Sequence, residues 1–213
     1  MINYFKIFGL LLSLSILTIG CKDNRKKYWE NGNLQSELIY KDNKLNGIAT
    51  WYFENGNKEQ EVTYLNNVIV GPLTRWYRNG NYESKSFYNN GKLEGKALMY
   101  DEDGNLVSEE NYVNDTLDGE FTQWYPDGQV KISGQYKNGY YSGRWLYYNL
   151  NGDIIGTGNY VMGSGIQKAW HPNGNLMREI NYVNNLKHGT EKLYNADGEL
   201  EEVLNYREGV IIN

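Results

Sequence analysis

Trp124-Tyr125-Pro126-Asp127-Gly128 is one of eight copies of a single phrase, in which an aromatic residue stands four places before a glycine that follows Asn or Asp. The glycines are Gly32, Gly56, Gly80, Gly104, Gly128, Gly152, Gly174 and Gly198, spaced by 24 residues at every step except one of 22. The aromatic column reads Tyr28, Tyr52, Trp76, Tyr100, Trp124, Tyr148, Trp170 and Tyr194. A constant period of this size denotes a repeat array, in which each unit packs chiefly on its neighbours. The 213 residues therefore do not divide into globular domains by length.

The second repeat shows the unit. Gly47 to Phe53 is a β-prone run, Glu54-Asn55-Gly56-Asn57 a turn, and Lys58 to Tyr64 a second run with polar residues at alternate places. Two strands joined through Asn-Gly form the strongest short-range hairpin signal, because a two-residue turn wants positive φ at both central positions. A tyrosine closes every second strand: Tyr40, Tyr64, Tyr88, Tyr112, Tyr136, Tyr160, Tyr182 and Tyr206. A further turn rich in Asn, Asp and Gly follows, and then another glycine column at Gly47, Gly71, Gly95, Gly119, Gly143, Gly165 and Gly189. Composition agrees, with 20 Tyr, 6 Trp and 24 Gly against 3 Pro. The expectation is an all-β chain, an elongated antiparallel sheet of about eight stacked hairpins.

Period-two reading puts Leu34, Ser36, Leu38 and Tyr40 on one face of the first repeat, and Leu176, Arg178, Ile180 and Tyr182 on that of the seventh. Small residues recur mid-face at Ser84, Ser108, Gly134, Gly156 and Gly158, so that aromatics of the neighbouring strand can lie over them. Stacked aromatics then replace a globular core, with Trp124 of the repeated phrase as the central ring. Sixteen such strands at 4.8 Å spacing span about 75 Å. The short step falls at Val161-Met162-Gly163-Ser164, expected to be a tighter connection that changes curvature or the loop edge. Apolar Val210-Ile211-Ile212 is expected to cap the terminal strand edge.

Residues 1–20 have the layout of a secretory signal: Lys6, then an apolar run from Ile7 to Ile19, too short to span a bilayer. The ending Leu17-Thr18-Ile19-Gly20-Cys21 resembles a bacterial lipobox, which implies lipidation of Cys21. Cys21 is the only cysteine, so no intramolecular disulfide can form. Residues 21–27 read as a lipidated cysteine and polar tether, and residues 28–213 as the array. Lys22 stands where an Asp would signal inner-membrane retention in enteric-type bacteria, so the expected location is the bacterial envelope, at the outer membrane. The net charge of −5 disfavours nucleic acid and anionic lipid as partners, leaving membrane contact to the lipid anchor.

No enzyme, metal or cofactor site is expected. His171 and His188, the only histidines, occupy different columns of the repeat and lack metal-ligand spacing. Asp101-Glu102-Asp103-Gly104-Asn105 superficially matches a calcium loop but fills the turn positions of every other repeat, and its glycine stands too early. Glu109-Glu110 and Glu201-Glu202 are neighbours on strands, so their carboxylates point to opposite faces.

The columns together, aromatic-x-x-Asn-Gly, then Tyr-x-x-Gly, then a glycine before the next aromatic, resemble the MORN repeat and more closely its bacterial variant, over Tyr28 to Gly209. The resemblance implies one long sheet of antiparallel hairpins, a role as a protein-interaction scaffold, and no catalytic residue. Some bacterial members carry an antitoxin label, which implies toxin neutralisation as an alternative. A third class is glycan binding, since Trp145-Leu146-Tyr147-Tyr148 loosely resembles the aromatic phrase of bacterial cell-wall-binding repeats.

Overall fold

A computed structural model describes residues 22–212. They form one antiparallel sheet of 19 strands, with no helix among the described residues. Each long strand pairs with the strand before and the strand after it in sequence, so every sheet neighbour is local. Two strands are each split in two beside a glycine, at Lys92–Leu93 with Gly95–Tyr100 and at Thr116–Leu117 with Gly119–Trp124. Lys22–Tyr28 is the first strand and pairs with Leu34–Lys41, so residues 22–27, expected as a tether, belong to the sheet, which begins before the repeated phrase. The leader and Cys21 lie outside the described residues.

The repeated phrase is not the two-residue turn with two positive φ values that its Asn-Gly pair predicts. At the repeated phrase only the glycine has positive φ, between 83° and 97° in all eight copies, while the preceding Asn or Asp does not. In the first copy Gly32 N–H donates to the Trp29 carbonyl (3.0 Å) and Trp29 N–H to the Asn33 carbonyl (2.8 Å). That is a three-residue hairpin loop ending in a glycine bulge. The two-residue turns with both centres at positive φ lie at the other edge, as at Asp42-Asn43 (50°, 60°) and Asn184-Asn185 (51°, 65°). Asn and Gly enter this left-handed region at little steric cost, which explains that turn's composition.

The second glycine column is a bulge. Leu38 faces Ala49 but Tyr40 faces Leu45, so two extra residues, Asn46-Gly47 in the second repeat, loop out of the ladder. The same shift recurs at Val62/Tyr64, Ser133/Gln135 and Ile180/Tyr182. In the 22-residue step the ladder from Gly156 to Val161 has no irregularity. Its turn, Met162-Gly163, has the same positive φ values (47°, 76°) as the others. The missing two residues are thus the bulge, and the connection itself is not tighter. Gly165 accordingly lies in extended backbone, where a Cβ would collide with the Asn159 carbonyl.

Burial concentrates on the face that carries the tyrosine column, in two clusters. Ala49, Val62 and Leu73 are buried, with Leu38, Trp51, Tyr64, Ile69 and Tyr88 packed against them. Farther along, Trp145, Tyr160 and Ile180 are buried. Phe121 stacks on Trp145 at 5.5 Å, and Tyr136 and Tyr141 meet it edge-on at 5.1 and 4.8 Å. Gly134 and Gly158 allow this, because a Cβ at either would collide with the ring of Trp145 or Tyr160. Val210–Ile212 covers only Asn205–Arg207, so the cap over the final edge is partial.

Candidate interaction surfaces

The phrase aromatics do not make the central stack. Tyr28 is 61% exposed and the other seven, Trp124 included, are half-buried. Trp76 and Tyr100 meet only through Tyr82, at 5.9 and 6.1 Å. Each column residue ends a strand opposite the first residue of the next, with one extra residue on the partner, as in Trp124↔Val130. What the column supplies, in every second repeat, is a carbonyl. Trp29 Nε1 donates to Tyr52 O (3.1 Å), and the hydroxyls of Tyr77 and Tyr125 donate to Tyr100 O and Tyr148 O (2.8 Å each). His171 Nε2 meets Tyr194 O at 2.8 Å, so that nitrogen carries the proton, since a carbonyl only accepts. His171 therefore stands in a ring-donor column, a role that the sequence reading missed because the column alternates. In even repeats the position holds Phe53, Asp101, Asn149 and Asn195, and the last three cap their own turns.

The Asn-Gly-Asn turns carry a second ladder between repeats. Asn31 and Asn33 both donate to Glu54 O (2.9 and 2.8 Å), Asn55 and Asn57 to Arg78 O, Asn79 and Asn81 to Glu102 O, and Asn173 and Asn175 to Ala196 O. A carboxylate cannot donate, so the turns at Asp103 and Asp127 cannot form the paired clamp, and the turn at Asp197 is the last and has no following phrase turn to clamp. At the opposite edge the turns are tied through backbone, from Asn67 N–H to Leu45 O and onward to Gly209 N–H on Lys187 O. Around the short step Asn185 reaches two repeats back, donating from Nδ2 to Gly139 O (2.8 Å) and accepting from Tyr141 N–H (2.8 Å).

Strand pairing places a set of exposed apolar side chains on the face opposite the tyrosines. Ile48, Leu65, Val68, Phe87, Val113 and Val161 are there, 41% to 77% exposed, and Ile166, Val183, Leu186 and Val203 continue the set at 41% to 47%. Cross-strand charges alternate with them, as in Lys168–Glu179 at 2.9 Å. The tyrosine face bears an open groove of about 660 Å³ lined by Trp51, Phe53, Trp76, Tyr77, Gln60 and Arg75 among others. Among the described residues no group of three or more His, Cys, Asp or Glu side chains could hold a metal ion. Asp101, in the calcium-like phrase, accepts instead from Asn105 N–H (2.8 Å) and Nδ2 (3.1 Å).

The family model described as MORN repeat variant matches residues 24–42, 45–66, 69–90, 83–97, 93–114, 117–138, 164–184 and 187–208. The chain belongs to the MORN repeat variant family. The MORN matches leave out residues 139–163, which hold Trp145 and lead into the short step. Among curated proteins, none matches the MORN array. Among solved structures it is similar to one titled "Crystal Structure of TcdB2-TccC3-TEV", at 14% identity and a TM-score of 0.24, over 85% of this chain and 13% of that one. The MORN array thus spans about an eighth of that chain's length.

Proposed function

We propose that the chain is a non-enzymatic scaffold of the bacterial envelope, lipid-anchored through Cys21 and binding another protein with the face opposite its tyrosines. The observation that carries this reading is the exposed apolar set around Phe87, Val113, Val161 and Val183. A single-layer sheet has no second layer among the described residues to cover that face, and exposed apolar side chains repeated along it offer a partner apolar contact. The ladders tie each repeat to the next, so a partner is met by a long repetitive surface instead of a cleft. The lipobox-like end of the leader supports the anchor.

Two experiments test the halves separately. Wild-type protein takes up a palmitate analogue and Cys21→Ala does not; an unlabelled wild type refutes the anchor. Phe87→Asp with Val183→Asp keeps the β spectrum and loses the partner recovered from intact cells by crosslinking; retention of that partner refutes the binding face. A glycan is the second reading, favoured by the groove beside Trp51 and Trp76, since aromatic planes next to Gln60 and Arg75 suit sugar rings. Glycan-array binding lost in Trp76→Ala supports it, and a blank array removes it.

A further inference from the structure

The two lateral edges of the sheet are open and opposite in charge. Lys22–Tyr28 pairs on one side with Leu34–Lys41, and among the described residues nothing pairs with its outer side. At the other end, Leu200–Arg207 is covered on its outer side only at Asn205, Tyr206 and Arg207, which leaves Leu200 to Leu204 open. The first edge carries Lys22, Arg25, Lys26 and Lys27 against Asp23. The last edge and its turn carry Asp197, Glu199, Glu201 and Glu202, with no cation from Asp197 to Glu202. Arg25 and Lys26 have carboxylate partners within their own copy, Asp23 at 2.7 Å and Glu37 at 3.2 Å. Lys27, Glu201 and Glu202 form no ion pair among the described residues.

Repeat phase fixes how the edges would meet. Tyr206 occupies the column of Tyr40, so Glu202, Val203 and Leu204 stand where Ser36, Glu37 and Leu38 stand in the first repeat. Those three pair with Trp51, Thr50 and Ala49. One 24-residue period before these lie Lys27, Lys26 and Arg25. Laid on the last edge in the register that joins the first two hairpins, the first strand of a second copy therefore puts Lys27 opposite Glu202 on the tyrosine face. Val210–Ile212 matches Lys44–Asn46 of the second repeat and Lys22–Tyr28 matches Asn46–Tyr52, so the two pieces correspond to the two ends of one strand and meet at the position of Asn46, beside the residues that loop out of the ladder there. The short strand covers the part near the turn, and the incoming strand covers what it leaves bare.

We propose that the chain associates head to tail with a second copy of itself, the basic first strand of one copy pairing with the acidic last strand of the next. Main-chain hydrogen bonds supply the attraction, as in any strand added to a sheet edge. The charges select the pairing, because basic-to-basic and acidic-to-acidic edges repel. The contact is heterologous, so it propagates into open chains of copies and does not stop at a symmetric dimer. It goes beyond the partner reading and does not depend on it, since it uses the edges and leaves the apolar face exposed.

The test uses the full chain in detergent with Cys21→Ser, which removes the only native cysteine and with it the proposed lipid. Lys27→Cys with Glu202→Cys, both at exposed positions, is oxidised with copper-phenanthroline. Facing strand residues are close enough for a disulfide. The expected result is a ladder of covalent species spaced by about one chain mass of 24.7 kDa. Each single-cysteine variant gives no dimer, and a mixture of the two gives dimer only. In parallel, light scattering of Lys27→Glu or Glu202→Lys alone shows reduced association, and mixing the two restores it. Absence of the ladder, dimers from one single-cysteine variant alone, or association unchanged by either charge reversal overturns the proposal.

Discussion

The indole of Trp145 lies so close against the backbone of Gly134 that a Cβ at position 134 would collide with the ring. This contact anchors the second buried cluster, and Trp145 is only 3% exposed. Trp145→Ala should cost about 3–5 kcal/mol, and Gly134→Ala about 1–3 kcal/mol through overpacking. Trp124→Ala, at a half-buried ring, should cost less than Trp145→Ala. Urea unfolding followed by circular dichroism gives the order, and an equal or larger loss at Trp124 contradicts it.

Between the two clusters the central row of the tyrosine face holds Ser86, Ala97 and Glu110, which bury little apolar surface. Neighbour-only coupling then lets the halves unfold separately once one is weakened. Trp145→Ala should give a split transition in which signals from the first cluster survive to higher urea. Val62→Ala should weaken the other half first. A single transition shifted equally by both substitutions would count against two cores.

The amide clamps are testable one at a time. Asn57→Asp keeps shape but loses the donor to Arg78 O, at a cost of about 0.5–1.5 kcal/mol. Asn185→Gly removes both hydrogen bonds that cross the short step, while glycine accepts the φ of 65° without strain. It should cost about 1–3 kcal/mol. Unchanged urea midpoints for both would show that water replaces these bonds without loss.

Burial is the main cause that raises the phenol pKa of Tyr112, Tyr136, Tyr160 and Tyr182, and it pushes Tyr147 up to about 12. An unfolded tyrosine ionises near pH 10. Above that pH the unfolded chain releases protons that the folded sheet keeps, so the contribution of these tyrosines is constant below about pH 10 and is lost as pH rises through the raised values. Urea midpoints measured from neutral pH upward should show that fall. A flat profile would mean that these rings ionise freely in the folded sheet.

The hairpins, their phase and the buried face were legible in the sequence because Asn/Asp-Gly and Tyr recur in step with the strand period. Turn type was not, since Asn serves two purposes. At Asn184-Asn185 it takes positive φ, whereas at Asn31 and Asn33 its side chain bonds the next repeat. Recurrence in the aromatic column favours Trp124, but burial depends on what lies opposite. Trp145 faces Gly158 and covers Gly134, while Trp124 sits at a strand end beside a bulge. His171 was hidden for a similar reason, because its column alternates between ring donors and turn caps.

The most direct test of the scaffold reading is residue-specific photo-crosslinking in intact cells, with a benzophenone side chain placed in turn at Phe87, Val113 and Val183 and, as a control on the tyrosine face, at Ser84. The account predicts the same protein adduct from the three apolar positions and none from Ser84. An adduct from Ser84 alone, equal adducts from both faces, or no protein adduct from any of the three would contradict it.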